Sequence, residues 1–388
     1  MNEPVSTRKI AILGTLPPIR ALSSYCFELA HAIAKKCRVA FISYKSIYPS
    51  FLYPAGKLEE DDTYPPVDYN NLQVKRRLTW YNPLSWFIEG ITTKADLLHA
   101  QWWSLPLFPV YLVICTCFAM RGKPIVFTVH NVLPHEKSLF FKLFSRILFA
   151  FGNHFIVHSE KNRQQMISCY HLSSEKVSVI PHGSLDFHKR ANIDKTKLKK
   201  DMGFDHKEKI ILLFGAIRPY KGVDVALNAM PEIIKHVPEA RLLVAGRLWE
   251  DWSPYESIIK ALHIEANVRL HLQYIPSNEV YKYFEISDLA LFPYRHFDSQ
   301  SGAGATAASF CKPMIVSNVG GLPELATDND LVVEPEDSNA LAEKVIKYLK
   351  DPLLLETVAS RADRVSSRLD WTDIAKKTIR VYEKQLQG

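Results

Sequence analysis

The chain has 388 residues, too many for one ordinary domain and suited to two of roughly 150 to 200 residues each. Its composition, 47% hydrophobic and 23% charged, excludes a disordered or fibrous protein. A net charge of +7 allows an anionic partner, but the basic residues are dispersed and form no nucleic-acid motif, so anionic lipid is the more natural candidate and no nucleic acid is expected.

The opening segment, MNEPVSTRKIAILG, moves directly into a strand without a basic-flanked apolar leader, and a cytoplasmic location is expected. Alternation follows: KIAILG, SSYCFELAHAIAKK, RVAFIS, ADLLHA, the 105–120 run, PIVFTVH, LFFKLFSRILFAF, HFIVHS, EKNRQQMISCY and VSVIP. LPLFPVYLVICTCFAM (105–120) is too short for a membrane span, contains Pro109, and reads as a buried helix. Continuous apolar strands separated by helices predict a parallel sheet covered on both faces. The six cysteines show no CxxC spacing and read as small buried hydrophobes.

After His182-Gly183 the pattern lapses into a polar connection, and the rhythm then restarts with KIILLFGAI, VDVALNAMPEIIKHV, RLLVAG, a helix near 253–263, VRLHLQY, NEVYKYFEI, DLALFPY and PMIVS. The expected division is an N-terminal domain over 1–185, a linker over 186–208, a second α/β domain over 209–365, and a C-terminal helix over 366–388 that returns to the first domain.

In doubly wound sheets, ligands bind beyond the carboxyl ends of the strands. LLFGAIRPYKG is a strand ending at Gly215, a loop with Arg218 and Lys221, and then a helix start, which together make a diphosphate cradle. After LALFPY the chain carries Asp298, Gln300 and Ser301, then Gly302, Ala303 and Gly304, whose lack of bulk lets the backbone approach a ligand. Tight helix packing explains Ala307, Ala308 and Cys311 but explains Asp298 and Gln300 poorly.

Over nearly its whole length the sequence resembles the retaining glycosyltransferases of family 4, which have the GT-B fold: two Rossmann-like doubly wound α/β domains facing each other across a cleft. The resemblance rests on GAIRPYKG, LLVAGR (242–247), QYIPSNEV (273–280) and SFCKPMIVSNVGGLPE (309–324), with GTLPP, FTVHNVLPHE, FIVHSE and VIPHGS upstream. It implies that Arg218 and Lys221 neutralise the donor diphosphate, that Gly14 lies under the phosphates, and that His130 faces the reacting sugar. Asp298 joins these as a catalytic position. Gly215, Gly246, Arg247, Tyr274, Ile275, Gln300, Ser301, Gly302, Ala303 and Thr306 are the implied donor-binding positions, whereas His182 is read as structural.

Two departures stand out. Asp298 and Thr306 occupy the positions of two glutamates common in the family, and Ile19, Arg20, Ala21 and Leu22 replace its usual glycine pair. Both are read as variation within a QSG-type subgroup. The resemblance implies transfer of a hexose-type sugar, with retention, from a nucleoside-diphosphate sugar to an unidentified glycan or lipid-linked acceptor, without cofactor or metal. Rival readings are a catalytically inactive GT-B scaffold, an epimerase, and a synthase acting on a soluble sugar. EKSLFFKLFSRILFAFGN (136–153) carries Lys137, Lys142 and Arg146 beside Phe140, Phe141, Leu143, Phe144, Ile147, Leu148 and Phe149; it fits equally a helix on the cytoplasmic face of an anionic membrane and a core helix with a basic edge.

Overall fold

Short aliphatic runs with no polar alternation suit strands buried on both faces, and the computed structural model is built from two sheets of that kind. It describes residues 6–19, 22–47, 49, 63–64, 70–133, 139–184 and 193–387. The chain divides into two units, Met1–Gly183 with Asp370–Gly388, and Ser184–Leu369.

The first unit runs β1 (Ser6–Leu13), α1 (Ser23–Ala34), β2 (Cys37–Ser46), β3 (Leu72–Thr79), α2 (Pro83–Thr92), β4 (Leu97–Trp102), α3 (Phe108–Met120), β5 (Ile125–Val129), α4 (Leu139–Phe149), β6 (His154–Val157), α5 (Glu160–Tyr170) and β7 (Val177–Val179). Among the described residues its sheet has the order β3-β2-β1-β4-β5-β6-β7, with every pairing parallel. The order reverses between β1 and β4, which is where such sheets bind ligands.

Successive residues of β1 divide between two cores. Ala11 and Leu13 join Trp86, Ile114, Phe118, Phe141 and Leu148 beneath α2, α3 and α4. Ile10 and Ile12 join Tyr25, Leu29 and Ile33 on the other face. β3 and α2 lie in a stretch left unassigned by the sequence pattern. LQVKRRLT forms the edge strand, where Lys75, Arg76 and Arg77 suit a half-solvated position that an inner strand would not offer.

The second unit opens with α6 (Lys195–Asp201), inside the expected linker and capped by Asp194. β8 (Lys209–Phe214), α7 (Val223–His236), β9 (Ala240–Ala245), α8 (Ser253–Ala261), β10 (Val268–His271), α9 (Val280–Ile286), β11 (Leu289–Phe292), α10 (Gly302–Ser309), β12 (Met314–Ser317), β13 (Val332–Val333), α11 (Ser338–Lys350) and α12 (Pro352–Arg368) follow. The sheet order β10-β9-β8-β11-β12-β13, again parallel throughout, repeats the arrangement of the first unit and places its reversal between β8 and β11.

The last helix, α13 (Trp371–Gln387), belongs to the first unit and packs on α1. It starts at Trp371 and not at residue 366 because α12 continues to Arg368. Asp370 then caps the new helix, its Oδ1 accepting the N–H groups of Thr372 at 2.8 Å and Asp373 at 3.3 Å. Trp371 sits with its ring centroid 5.2 Å from that of Tyr25, and a Cβ on Gly183 would come within 2.3 Å of the indole. Loss of this anchor should cost what a buried Trp costs: Trp371→Ala is expected to lower unfolding stability by about 3 to 5 kcal/mol in denaturant titration. A loss under about 1 kcal/mol would mean that α13 is docked by other contacts.

Candidate active site

In the second unit, Gly215 ends β8 with φ at 115°, and a 3-10 turn over Pro219–Lys221 leads into Gly222 at φ 68° and then α7. Gly222 is required twice over: its backbone is left-handed, and a Cβ there would meet the Pro293 carbonyl oxygen at 1.9 Å. The turn brings Lys221 back under the strand end. Its amine is buried, donates to the Tyr294 hydroxyl, and lies 4.2 Å from the centre of the Tyr294 ring. The Tyr294 hydroxyl is 3.1 Å from Ser301 Oγ, which accepts the Gly304 N–H at 3.2 Å and so caps α10. A Cβ on Gly215 would lie 3.5 Å from Lys221 Nζ and 3.7 Å from Ala303 Cβ. Gly215, Lys221, Tyr294, Ser301 and Ala303 are therefore one group of neighbours.

Burial first, and then the charge of Arg218, push the Lys221 amine down to about 7. Among the described residues no carboxylate pairs with the amine, which has a cation beside it and a tyrosine hydroxyl as partner. An anion placed here would restore its charge. Arg218 is held with its guanidinium 3.9 Å above the ring of Trp249. The loops bearing the two residues are tied together, since Ile217 N–H donates to Arg247 O at 2.8 Å and Trp249 N–H to Ile217 O at 3.0 Å. Gly246, at φ 144°, packs against Gly215, whose carbonyl oxygen a Cβ would meet at 2.1 Å.

The second glycine pair has a different purpose. Gly320, at φ 56°, lies against the 297–299 loop, where a Cβ would come 2.4 Å from Phe297 O, and Gly321 N–H donates to Ser299 O at 3.0 Å. These glycines press the loop bearing Asp298 and Gln300 into place. Gln300 is buried beside the start of α10. Ile275 is packed in the core below α9. Thr306 is inside α10 with its hydroxyl donating to Gly302 O at 2.9 Å, a bond within its own helix.

The first unit gathers a second group. Gly14 follows β1, and a Cβ there would meet Cys26 Sγ at 2.9 Å and Gln101 Cγ at 3.3 Å. His130 follows β5, its N–H bonded to Trp102 O at 2.9 Å. Its Nδ1 is 3.0 Å from His158 Nε2, and its Nε2 is 3.0 Å from one end of the Gln101 amide. Burial, then His158, His182 and His99, hold His130 well below the usual imidazole range. Burial likewise pushes His158 and His99 down to about 3 and His182 to about 4. His182 turns Nδ1 to Gly183 O at 2.8 Å.

Trp249, Tyr294, Gln101 and His158 are members of these groups that the motif reading did not single out. Each lies just beyond a strand or at its last positions, so the rule that ligands bind at carboxyl strand ends was the available signal. Among the described residues no cluster of three or more His, Cys, Asp or Glu side chains is placed to hold a metal ion.

Comparison with known proteins agrees with this architecture. The model for glycosyl transferases group 1 matches residues 194–365, and that for glycosyltransferase family 4 matches residues 22–184. An uncharacterised glycosyltransferase of Methanocaldococcus jannaschii is 27% identical over 237 residues, 59% of each chain. The GPI3 subunit of the Saccharomyces cerevisiae phosphatidylinositol N-acetylglucosaminyltransferase is 26% identical over 272 residues, 67% of this chain and 58% of that one. In both cases less than two thirds of the relative's length is spanned. The structure of Anabaena HepE in complex with UDP and glucose superposes with a TM-score of 0.74 at 17% identity, over 97% of this chain and 100% of that one. With two successive family models covering most of its length and the same double Rossmann-like architecture, the chain belongs to the GT-B glycosyltransferases.

Proposed function

We propose that the protein transfers a hexose-type sugar, with retention, from a nucleoside-diphosphate sugar to a glycan or lipid-linked acceptor. The observation that carries this reading is the buried Lys221 amine at the end of β8, beside Gly215, Tyr294 and the start of α10, with the Arg218 charge near it. UDP in the HepE complex supports a diphosphate as the group received there. Breaking the glycosidic bond leaves charge on the diphosphate, and two preplaced cations stabilise that charge more than they stabilise the intact donor. They take the part a divalent ion would otherwise take, and no metal is required. Asp298 is assigned to the sugar hydroxyls and His130 to the wall of the sugar site.

The partner surface is read from α2, α3 and α4, which lie side by side over one core: a Cβ on Gly90 would meet Cys117, and the rings of Phe108 and Phe144 are 4.5 Å apart. α4 buries Phe141, Leu148 and Phe149 as a core helix does, while Phe140, Leu143 and Ile147 face solvent and are available to the proposed membrane contact. α2 adds an exposed stripe of Leu84 (63% exposed), Phe87 (50%), Ile88 (42%) and Ile91 (46%) at helical spacing. Among the described residues between 81 and 153 the only carboxylates are the buried Glu89, tied to Lys75 and Arg77, and Asp96, which accepts the Lys9 N–H; Lys94, Arg121, Lys123, Lys142 and Arg146 are all basic. Apolar stripes edged by cations suit an anionic membrane surface, where a lipid-linked acceptor would be met. No described helix is long and apolar enough to cross a membrane.

Three outcomes are expected. Lys221→Met and Arg218→Ala should each lower turnover by on the order of a hundredfold, measured with whichever nucleotide sugar the parent uses, with little loss of folding stability. Donor binding without any turnover in the parent would instead support a scaffold.

Because diphosphate binding should return Lys221 to its charged form, UDP binding at about pH 8 should take up nearly one proton, and affinity should fall as pH rises above about 7. Calorimetry in buffers of different ionisation enthalpy measures this, and buffer-independent heats would remove Lys221 from the diphosphate site.

Vesicle sedimentation should show binding to phosphatidylglycerol but not to phosphatidylcholine, reduced in the Phe87→Ser/Phe140→Ser double variant. Equal pelleting with both lipids, or none with either, would rule out this surface.

A further inference from the structure

Three neighbouring strands present polar groups to the same sheet face at the two-residue spacing of a strand. β4 offers Leu97, then His99 and Gln101; β5 offers Val126, then Thr128 and, just past its end, His130; β6 offers Ile156, followed by His158. The first residue of each series sits in apolar core with α1 and α13, and all five polar residues that follow are also buried. Tyr25 of α1 lies over them, its ring 4.7 Å from His130 and 5.3 Å from His158.

A continuous line of hydrogen bonds crosses this face. Tyr382 of α13 is 2.6 Å from His99 Nδ1; His99 Nε2 is 2.7 Å from Thr128 Oγ1 and 3.1 Å from the Gln101 amide. Gln101 is placed with Nε2 toward His99 and Oε1 3.0 Å from His130 Nε2, His130 Nδ1 reaches His158 Nε2 at 3.0 Å, and His158 Nδ1 reaches Ile180 O at 3.0 Å. A carbonyl oxygen only accepts, so His158 carries its proton on Nδ1 and must accept on Nε2. His130 therefore donates from Nδ1 and accepts on Nε2. This order requires the Gln101 amide turned end for end from its placement in the structure, with NH2 to His130 and oxygen to His99, which then donates from Nε2 and accepts the Tyr382 hydroxyl proton on Nδ1. One contact, at Ile180 O, orients every bond in the line.

We propose that Gln101 and His158 are positioning residues that hold His130 as a neutral ring protonated on Nδ1 alone, with Nε2 occupied by Gln101, so that His130 walls the sugar site and moves no proton. This rests on the reading of His130 as a site residue. The titratable groups packed about the ring are Tyr25 from α1, His99 from β4, His158 and His182, with Tyr382 of α13 behind His99. The three histidines all disfavour a second proton on His130, and burial disfavours it most.

The test uses the full chain labelled with nitrogen-15 in its histidines, with His130→Gln and His99→Gln to assign signals in long-range proton–nitrogen correlation spectra. His130 should show a protonated Nδ1 and a bare Nε2, unchanged over roughly pH 5 to 8. His158→Gln keeps the order, because an amide can accept from His130 and donate to Ile180 O, and should leave the His130 pattern as it was. His158→Leu removes the anchor, and both His130 and His99 should then redistribute their protons between ring nitrogens. A parental His130 protonated on Nε2, titration of His130 within that pH range, or no change at His99 in His158→Leu would each overturn the proposal. Heat stabilisation by UDP, measured on the same samples, reports the donor site separately.

Discussion

In a sheet whose strands all run one way, every strand ends at the same edge. That constraint assembles the group of polar residues found in each unit. Residues far apart in sequence, Gly14, Gln101, His130 and His158, become neighbours because β1, β4, β5 and β6 are adjacent and end together. Gly215, Gly246 and Tyr294 meet in the second unit for the same reason, at the ends of β8, β9 and β11. The crossovers that parallel pairing demands place helix starts after strand ends such as those of β8 and β11, so N–H groups face the same edge.

Polar groups at these edges are buried by the layers that make the sheets stable, and their burial sets their chemistry. Lys221 loses hydration without gaining a carboxylate, which leaves its charge in need of an anion. His99, His130 and His158 of the first unit lose hydration too, but they are satisfied through Gln101, Thr128, Tyr382 and the Ile180 carbonyl. One unit thus holds an unmet charge and the other a closed neutral network. The division suits a reaction in which electrostatic stabilisation of a leaving group, and not proton transfer by histidine, lowers the barrier.

Small residues have separate purposes that a run of glycines conceals. Gly222 and Gly246 let loops pass carbonyl oxygens at distances no Cβ permits, and Gly320 does the same beneath the 297–299 loop. Gly304, in contrast, leaves room for Leu325 on α10, a matter of core packing. The glycine-spaced stretch after DLALFPY therefore combines a helix start, a seat for a loop and a packing surface.

The parallel architecture, the two α/β halves and the Arg218–Lys221 turn were legible in the sequence because each depends on local pattern: continuous apolar runs, helical spacing, and cations between a strand-ending glycine and a helix start. β3 and α2 were not legible, since an edge strand tolerates Lys75, Arg76 and Arg77 and since α2 keeps an exposed apolar stripe that obscures which face is inward. Trp249 beneath Arg218, the Tyr294 hydroxyl on Lys221 and the line from Tyr382 to Ile180 O appear only once the chain is folded. By itself the sequence determined which segments become strands and helices and which residue types stand at their ends, because periodicity is a local property. Tertiary structure alone decided which of those ends meet, and with them the surroundings that lower the proton affinity of Lys221 and His130, because burial and hydrogen-bond partners come from segments tens to hundreds of residues away.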